Sequence, residues 1–364
     1  MKAINGGVGK ILLYIQLILE WFSPNHTVRN VFDYHSVMKH RRDLYWNGIF
    51  PFSGYLYGYT PSLRYSLGKY SGKNDFFFCA AEHGVFFRNY NRDLEDYQNR
   101  YPVILVPSIE RVRILRKHTN RCIIPIGPDI QYADPVLDLR SIEQIKSRLG
   151  KTLLAFPSHN TLDIDYDFAH EEFIKYVERI KKQHNYDTIL VCLYCIDIER
   201  GEDYFYKKRG WRIVSAGYPD SYDFKSILKT LIVLSDHVIN QGFGSNVGWS
   251  LYLGKPVTIF SQKGFSVRDK TGKITYYNKT YGSLFDDKVE EMLKEYEETI
   301  SEEQWRYFSY HYGYDCIRSP EEIRLILEFS KEAYFKHLNN ERMKKLASKK
   351  KYRRIKKLLI DGLG

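Results

Sequence analysis

The sequence predicts an α/β protein made of two Rossmann-like domains. Three observations predict this class. Short apolar runs alternate with amphipathic segments across residues 150–262, a less regular alternation precedes them, and a glycine-rich turn joins one apolar run to a short helix. With 364 residues, 43% of them hydrophobic, the chain is long enough for two domains of ordinary size.

The first 140 residues predict the elements of one Rossmann-like half. A strand over residues 75–81 is expected to end at Glu82, His83 and Gly84. Residues 129–139, which are rich in Asp and Pro, predict the linker to the second half. The other expected elements are a strand over 101–106, a helix over 108–117 and a strand over 122–126.

The second half predicts a parallel, doubly wound sheet. Strands are expected over residues 152–156, 188–195, 211–215, 237–240 and 257–260, and helices over 168–184, 202–209, 223–234 and 245–254. Ligands of such sheets bind beyond the carboxyl ends of the strands. The polar turns at 158–160, 217–218 and 242–245 should therefore line one rim, with His159 and Gly217 placed for donor contact.

The turn after the strand at 237–240 is the most informative motif. Its small residues Gly242, Gly244 and Ser245 lead into a helix that Gly254 and Pro256 should end. A glycine-rich turn at a helix N-terminus directs backbone N–H groups and the positive end of the helix dipole at one point. This arrangement favours phosphate binding, although an ordinary strand-turn-helix without a ligand would show the same pattern.

The segment resembles the donor-phosphate loop of GT-B glycosyltransferases and of the nucleotide-sugar epimerases related to them in fold. In this resemblance Gly244, Ser245 and Asn246 form the phosphate-facing turn, Gly242 precedes it, and Gly-Lys-Pro-Val at 254–257 closes the helix. Many members carry a glutamate five residues before the closing glycine, and it holds the ribose hydroxyls. Trp249 stands there in this chain, so the ribose must be held differently.

The resemblance implies two domains that face a cleft, a nucleotide-sugar donor and no catalytic metal. An inverting transfer needs a general base in the N-terminal domain. Glu82 is the first candidate, with a structural carboxylate as its alternative, and His83 is the second. Asp129 is a reserve candidate.

Metal and cofactor sites are not expected. Asp163 and Asp165 have the letters of an Asp-x-Asp site, but they lie in what reads as a polar loop before a helix. Cys192 and Cys195 form a C-x-x-C inside a predicted buried strand with no second pair, which favours reduced core cysteines over zinc ligands.

Charge is concentrated at the end of the chain. Residues 331–364 contain 12 Lys/Arg against 3 Asp/Glu, whereas the whole chain has a net charge of +11. Large apolar side chains are scattered among these basic residues, which favours an anionic membrane surface as partner; a solvated tail and an RNA-binding tail are the alternatives. Residues 10–22 predict a packing or membrane-surface helix, not a signal peptide or a membrane span.

The resulting expectation is an N-terminal acceptor domain (1–138), a C-terminal donor domain (139–285), helices that pack back on the core (286–331) and a basic membrane-surface tail (332–364). The predicted function is a cytoplasmic, membrane-peripheral glycosyltransferase of bacterial capsule or lipopolysaccharide assembly, acting on a glycan or lipid-linked acceptor and not on nucleic acid. An epimerase of the same fold and a non-catalytic carbohydrate- or RNA-binding protein are the alternatives.

Overall fold

The computed structural model describes residues 30–39, 79–82, 101–160, 164–166, 170–219, 221, 223–269, 271–280 and 287–335. The predicted helix at 10–22, His83, Asp163 and the basic tail from residue 336 onward lie outside the described residues. Within these ranges, no helix combines the length and the apolar character that crossing a membrane requires.

The elements follow the expected alternation. The strands are β1 (Ala80–Ala81), β2 (Val103–Val106), β3 (Cys122–Pro125), β4 (Thr152–Phe156), β5 (Ile164–Tyr166), β6 (Thr188–Cys192), β7 (Arg212–Val214), β8 (His237–Gln241), β9 (Val257–Phe260), β10 (Lys263–Asp269) and β11 (Ile274–Thr280). The helices are α1 (Tyr34–Met38), α2 (Ile109–Leu115), α3 (Leu139–Leu149), α4 (His170–Gln183), α5 (Cys195–Glu199), α6 (Tyr204–Lys207), α7 (Phe224–Leu234), α8 (Ser245–Tyr252), α9 (Asp287–Leu293), α10 (Glu302–Tyr312) and α11 (Pro320–Phe335). A 3₁₀ helix covers Asp129–Tyr132.

The chain divides into two compact units. Unit 1 comprises residues 1–26, 42–134 and 309–364, and unit 2 comprises residues 27–41 and 135–308. The predicted division at 138/139 lies close to the division at 134/135, but residues 27–41 and 286–308 group with unit 2 instead of with the segments to which the sequence assigned them.

Unit 1 is built on a parallel three-stranded sheet in the order β1-β2-β3. All four residues of β2 are buried, because helices cover both faces of such a sheet. On one face the side chains of Ile323, Ile326 and Phe329 from α11 join the core that contains Val103 and Leu105. The C-terminal helix is therefore part of the core of unit 1.

Unit 2 contains a five-stranded parallel sheet in the order β7-β6-β4-β8-β9. The order reverses direction between β4 and β8, which is the doubly wound topology in which ligands bind beyond the carboxyl ends of the strands. Side chains of α4, among them Phe173 and Val177, pack on one face of this sheet. Together with unit 1, this sheet confirms the predicted α/β class.

Two local predictions are wrong, and one element was not predicted. Residues 164–166 form β5 instead of a loop, and β5 pairs with β10 in a separate antiparallel sheet of order β11-β10-β5. The strand predicted to reach residue 195 ends at Cys192, and Cys195 begins α5. The hairpin formed by β10 and β11 has no counterpart in the prediction. β5 and the hairpin carry many polar residues, and β5 pairs with a strand that is distant in sequence.

Candidate functional site

The predicted glycine-rich turn is present and connects β8 to α8, while phosphate binding there stays a prediction. Gly242 has φ +81°, a backbone conformation that favours glycine, and its N–H donates to the carbonyl of Phe260 at 3.0 Å. Gly244 is the extended N-cap residue, and Val247 N–H donates to its carbonyl at 3.0 Å. The helix then runs from Ser245 to Tyr252, which confirms the predicted start and places its first N–H groups at the carboxyl end of β8.

Two polar side chains at this turn are unusual. Asn240 Oδ1 and Asn246 Nδ2 are buried, as is Ser250 Oγ in the last turn of α8, and none of the three has a hydrogen-bond partner among the described residues. Asn240 is only 4% exposed and is the last residue but one of β8, two residues before Gly242. A buried polar group without a partner costs about 1–3 kcal/mol, so a cluster of such groups is the kind of exception that ligand sites show.

The direction of the Asn240 side chain follows from strand alternation. Its neighbour Ile239 packs in the core cluster that contains Phe173 of α4. Successive side chains of a strand point to opposite faces, so Asn240 points to the face of the sheet away from α4. Its backbone is fixed on both sides, because it pairs with Phe156 of β4 and Ile259 of β9. Asn240 was not among the predicted site residues, although a polar residue at the end of a predicted apolar strand can be recognised in the sequence.

A chain of hydrogen bonds joins the carboxyl ends of three neighbouring strands. Ser158, after β4, donates from its N–H to Gln241 Oε1 at 3.3 Å and from Oγ to the Gln241 carbonyl. Gln241 Nε2 donates to Gln262 Oε1 at 3.3 Å, and Gln262 Nε2 donates to the carbonyl of Gly264 at 3.1 Å. These bonds hold the rim around the phosphate turn in a fixed shape.

His159 lies on the same rim, as predicted for a residue that follows β4. It is exposed, its Nδ1 lies 3.1 Å from the carbonyl of Asn160, and its ring centroid lies 4.3 Å from that of Tyr194. The ring thus packs at a tilt of 32° against Tyr194 while the residue remains accessible. Contact between His159 and a donor stays a prediction.

The carboxamide of Asn160 holds together a buried acidic network below His159. Its Nδ2 donates to Asp197 Oδ1 at 3.1 Å and to Glu202 Oε1 at 2.9 Å, and its N–H donates to Asp197 Oδ1 at 3.0 Å. Burial, with a further contribution from Glu202, raises the pKa of the Asp197 carboxyl to about 7. Tyr166 N–H donates to Asn160 Oδ1 at 2.8 Å, so this network also attaches β5 to the rim.

Gly217 has a structural explanation that needs no ligand. Its φ is +80°, and its N–H donates to Ser215 Oγ at 3.0 Å. A Cβ at this position would lie 3.0 Å from Val37 Cγ1 of α1. The glycine therefore allows α1 to approach the end of β7, and its predicted role in donor binding remains a prediction only.

Trp249 occupies the position where the family resemblance expects a glutamate. It is 7% exposed, and Nζ of the buried Lys225 lies 5.8 Å from its ring centroid in a cation–π arrangement. This side chain packs between α7 and α8 and offers no carboxylate to a ribose.

The carboxylate of Glu82, predicted as the general base, is engaged elsewhere. It is 4% exposed and accepts two hydrogen bonds from the buried Arg111 of α2, one from Nε at 2.9 Å and one from Nη2. The bidentate pair fits the structural alternative raised from the sequence better than a base that must meet a substrate. The two residues are 29 positions apart, so no local sequence signal marks the pair.

A second ionisable pair in unit 1 was also missed. His311 Nδ1 lies 2.5 Å from Glu110 Oε2, with both side chains largely buried. Glu110 lies in the first turn of α2, just beyond the carboxyl end of β2, and Asp129 is buried near the end of β3. The 201 positions between the two members of the pair explain why the sequence pattern did not indicate it.

Asp165 is engaged in an ion pair. It is exposed on β5, where its Oδ1 lies 2.7 Å from Arg200 Nη1. In the ranges covered by the structure, no group of three or more His, Cys, Asp and Glu side chains is arranged to hold a metal ion. All five cysteines are free thiols.

No protein-family model matches the chain, and no curated protein is similar to it in sequence at a significant level. Among solved structures, a co-structure of S. aureus MnaA with UDP is similar over 71% of this chain and 70% of its own, with 12% sequence identity and a TM-score of 0.36. A similarity of this size does not assign a fold, and the α/β assignment therefore rests on the two parallel sheets described above.

Proposed function

We propose that unit 2 binds a nucleotide-sugar donor at the turn formed by Gly242, Gly244, Ser245 and Asn246. The observation that supports this most strongly is that two buried polar atoms at the turn and the first turn of α8, Asn240 Oδ1 and Asn246 Nδ2, have no hydrogen-bond partner among the described residues. The N–H groups of α8 and its dipole suit the acceptor oxygens of a phosphate. The Asn240 oxygen suits a donor group, such as a ribose or sugar hydroxyl or a base N–H.

The reaction proposed is metal-independent transfer of the sugar to a glycan or lipid-linked acceptor, in capsule or lipopolysaccharide assembly at the inner face of the cytoplasmic membrane. The N–H groups at the start of α8 would stabilise the charge that develops on the leaving phosphate. With Glu82 paired to Arg111, His83 is the next candidate among the predicted bases, and Asp129 stays in reserve. Epimerisation of the donor and binding without turnover are the competing outcomes.

Nucleotide binding is tested by thermal-shift titration with UDP, GDP, CMP and CDP in the presence of EDTA. A nucleotide at 100 times its Kd should stabilise the protein by about 2.7 kcal/mol. Ser245→Leu should abolish this stabilisation, because the new side chain fills the space at the first turn of α8. The matched control is Ser147→Leu on the exposed face of α3 in the same unit, which should bind like the original protein.

Asn240→Leu separates a ligand-binding role from a structural one. If the carboxamide serves a ligand, its near-isosteric apolar replacement should weaken nucleotide binding about ten-fold without lowering the free energy of unfolding, because it removes a buried acceptor that lacks a partner. Normal nucleotide affinity in folded Ser245→Leu and Asn240→Leu variants would contradict the proposal. Radiolabelled donor incubated with lipid-linked acceptor then distinguishes transfer from epimerisation.

A further inference from the structure

The hairpin of β10 and β11 has a turn that is fixed by its only acidic residue. Asp269 Oδ1 accepts hydrogen bonds from Thr271 N–H at 2.9 Å, Thr271 Oγ1 at 2.6 Å and Lys273 N–H at 3.1 Å. Gly272 has φ +83°, and Asp269 N–H donates to the Lys273 carbonyl at 3.0 Å. The Asp269 carboxylate is therefore directed at its own turn, and the hairpin has a defined shape.

One face of this hairpin exposes large apolar side chains. Tyr276 is 77% exposed and Ile274 is 41% exposed, and they share a face because they are two positions apart on β11. The register places Ile274 opposite Arg268 and Tyr276 opposite Ser266, so these four side chains form one surface. We call this surface the hairpin face.

Charge identifies the kind of partner that the hairpin face fits. Residues 263–280 contain five Lys/Arg and one Asp, and that Asp is the residue engaged in the turn. On the neighbouring β5, the exposed Asp165 that lies opposite Arg268 is already paired with Arg200 at 2.7 Å. Asp269, next to Arg268 in sequence, and Asp165, opposite it in register, thus both have partners, and Arg268 gives the hairpin face a positive charge that is complementary to an anionic surface.

We propose that the hairpin face is a membrane contact, formed on the interface of a bilayer that contains anionic lipid. A tyrosine ring with its hydroxyl is suited to the headgroup boundary, and an aliphatic Ile274 beside it suits acyl chains better than it suits sugar hydroxyls. Basic side chains near such a surface add attraction to the headgroups. This inference does not depend on the proposed donor chemistry.

The experiment is co-sedimentation of the full-length protein with two kinds of vesicle. One kind contains phosphatidylcholine alone, and the other also contains about 30% phosphatidylglycerol, which gives its surface a negative charge. The double variant Ile274→Ser/Tyr276→Ser should partition into anionic vesicles about ten-fold less than the original protein, a loss of ~1.4 kcal/mol. Arg268→Gln/Lys273→Gln should reduce binding to anionic vesicles and weaken its dependence on salt. The control Leu139→Ser removes an apolar side chain that is 79% exposed on α3, and it should leave the partition unchanged.

Free energies from separate membrane contacts add, so the loss should be visible even if the basic tail also binds. Equal pelleting of the double variant and the original protein, with both folded by circular dichroism, would overturn the proposal. So would intact vesicle binding combined with lost retention on an acidic polysaccharide column, which would assign the hairpin face to a glycan. A lipid-free dimer that the double variant dissociates would assign it to a second copy of the chain.

Discussion

Removing one member of the buried Glu82–Arg111 pair should destabilise unit 1 strongly. The side chains of Arg111 and Glu82 are 1% and 4% exposed, and two hydrogen bonds join them. Deleting one partner of a buried ion pair costs about 3–5 kcal/mol, because the other charge stays buried without its counter-charge. Glu82→Gln should therefore lower the free energy of unfolding of unit 1 by ~3–5 kcal/mol.

The double variant Glu82→Gln/Arg111→Met provides the control for this reasoning. Replacing both members of a buried pair by groups without charge is often neutral or stabilising. The double variant should recover most of the loss, which gives a coupling free energy of ~3 kcal/mol or more in a double-mutant cycle. Arg111→Met alone should be destabilising, since it leaves the Glu82 carboxylate in the core.

Native-state hydrogen exchange measures this effect in one unit at a time. Amides of β2 and β3 report on unit 1, and amides of β4 and β6 report on unit 2 within the same sample. Protection in β2 and β3 should fall in Glu82→Gln while protection in β4 and β6 stays unchanged. Undiminished protection of β2 together with a 10²–10⁴-fold loss of turnover, the range expected for a lost general base, would refute the structural role and restore Glu82 as the base.

Two further predictions concern unit 2. The pKa of Asp197 is raised to about 7 in the folded protein, above the ~3.9 of an unfolded chain, so the folded state binds this proton more tightly. The free energy of unfolding should therefore fall as the pH rises from about 4 to about 7. Asp197→Asn should make this fall smaller in urea titrations, and an unaltered pH profile of the variant would contradict the prediction. Gly217→Ala combines φ +80° with a contact of 3.0 Å between the new Cβ and Val37 Cγ1, whereas Gly210→Ala has φ +73° and nothing within 4 Å of the new Cβ. Gly217→Ala should therefore lower the free energy of unfolding by ~1 kcal/mol more than Gly210→Ala in the same titration. Equal losses would show that α1 does not restrict this position.

The sequence predicted those elements that local signals define. The strands at Thr152–Phe156 and Val257–Phe260 have the predicted bounds, and α8 begins at the predicted Ser245, because apolar runs, turn glycines and caps act within a few residues. The antiparallel sheet was missed because Ile164–Tyr166 and Lys263–Thr280 carry many polar residues, and only their mutual pairing makes them strands.

The candidate site divides in the same way. The turn at Gly242 and Ser245 was predictable, because its geometry depends on residue types in one short segment. The role of Glu82 depends on Arg111, which no spacing rule connects to it, and so the sequence suggested a base where the structure has an ion pair. Asn240 lies between these cases. Its position at the end of the predicted strand could be recognised in the sequence, but only the folded structure shows that its side-chain oxygen has no hydrogen-bond partner among the described residues.

The place of α11 in the core of unit 1 has a consequence for the order in which the protein folds during synthesis. The last strand of its sheet is complete at Pro125, but the helix that covers one face of that sheet begins only at Pro320, about 195 residues later. At ~5–20 residues per second, a ribosome needs roughly 10–40 s to make that interval. The remainder of unit 2, residues 135–308, is synthesised within this interval, so unit 2 can fold first while one face of β2 still lacks its covering helix. A chaperone that shields nascent chains would therefore meet this protein at the sheet of unit 1.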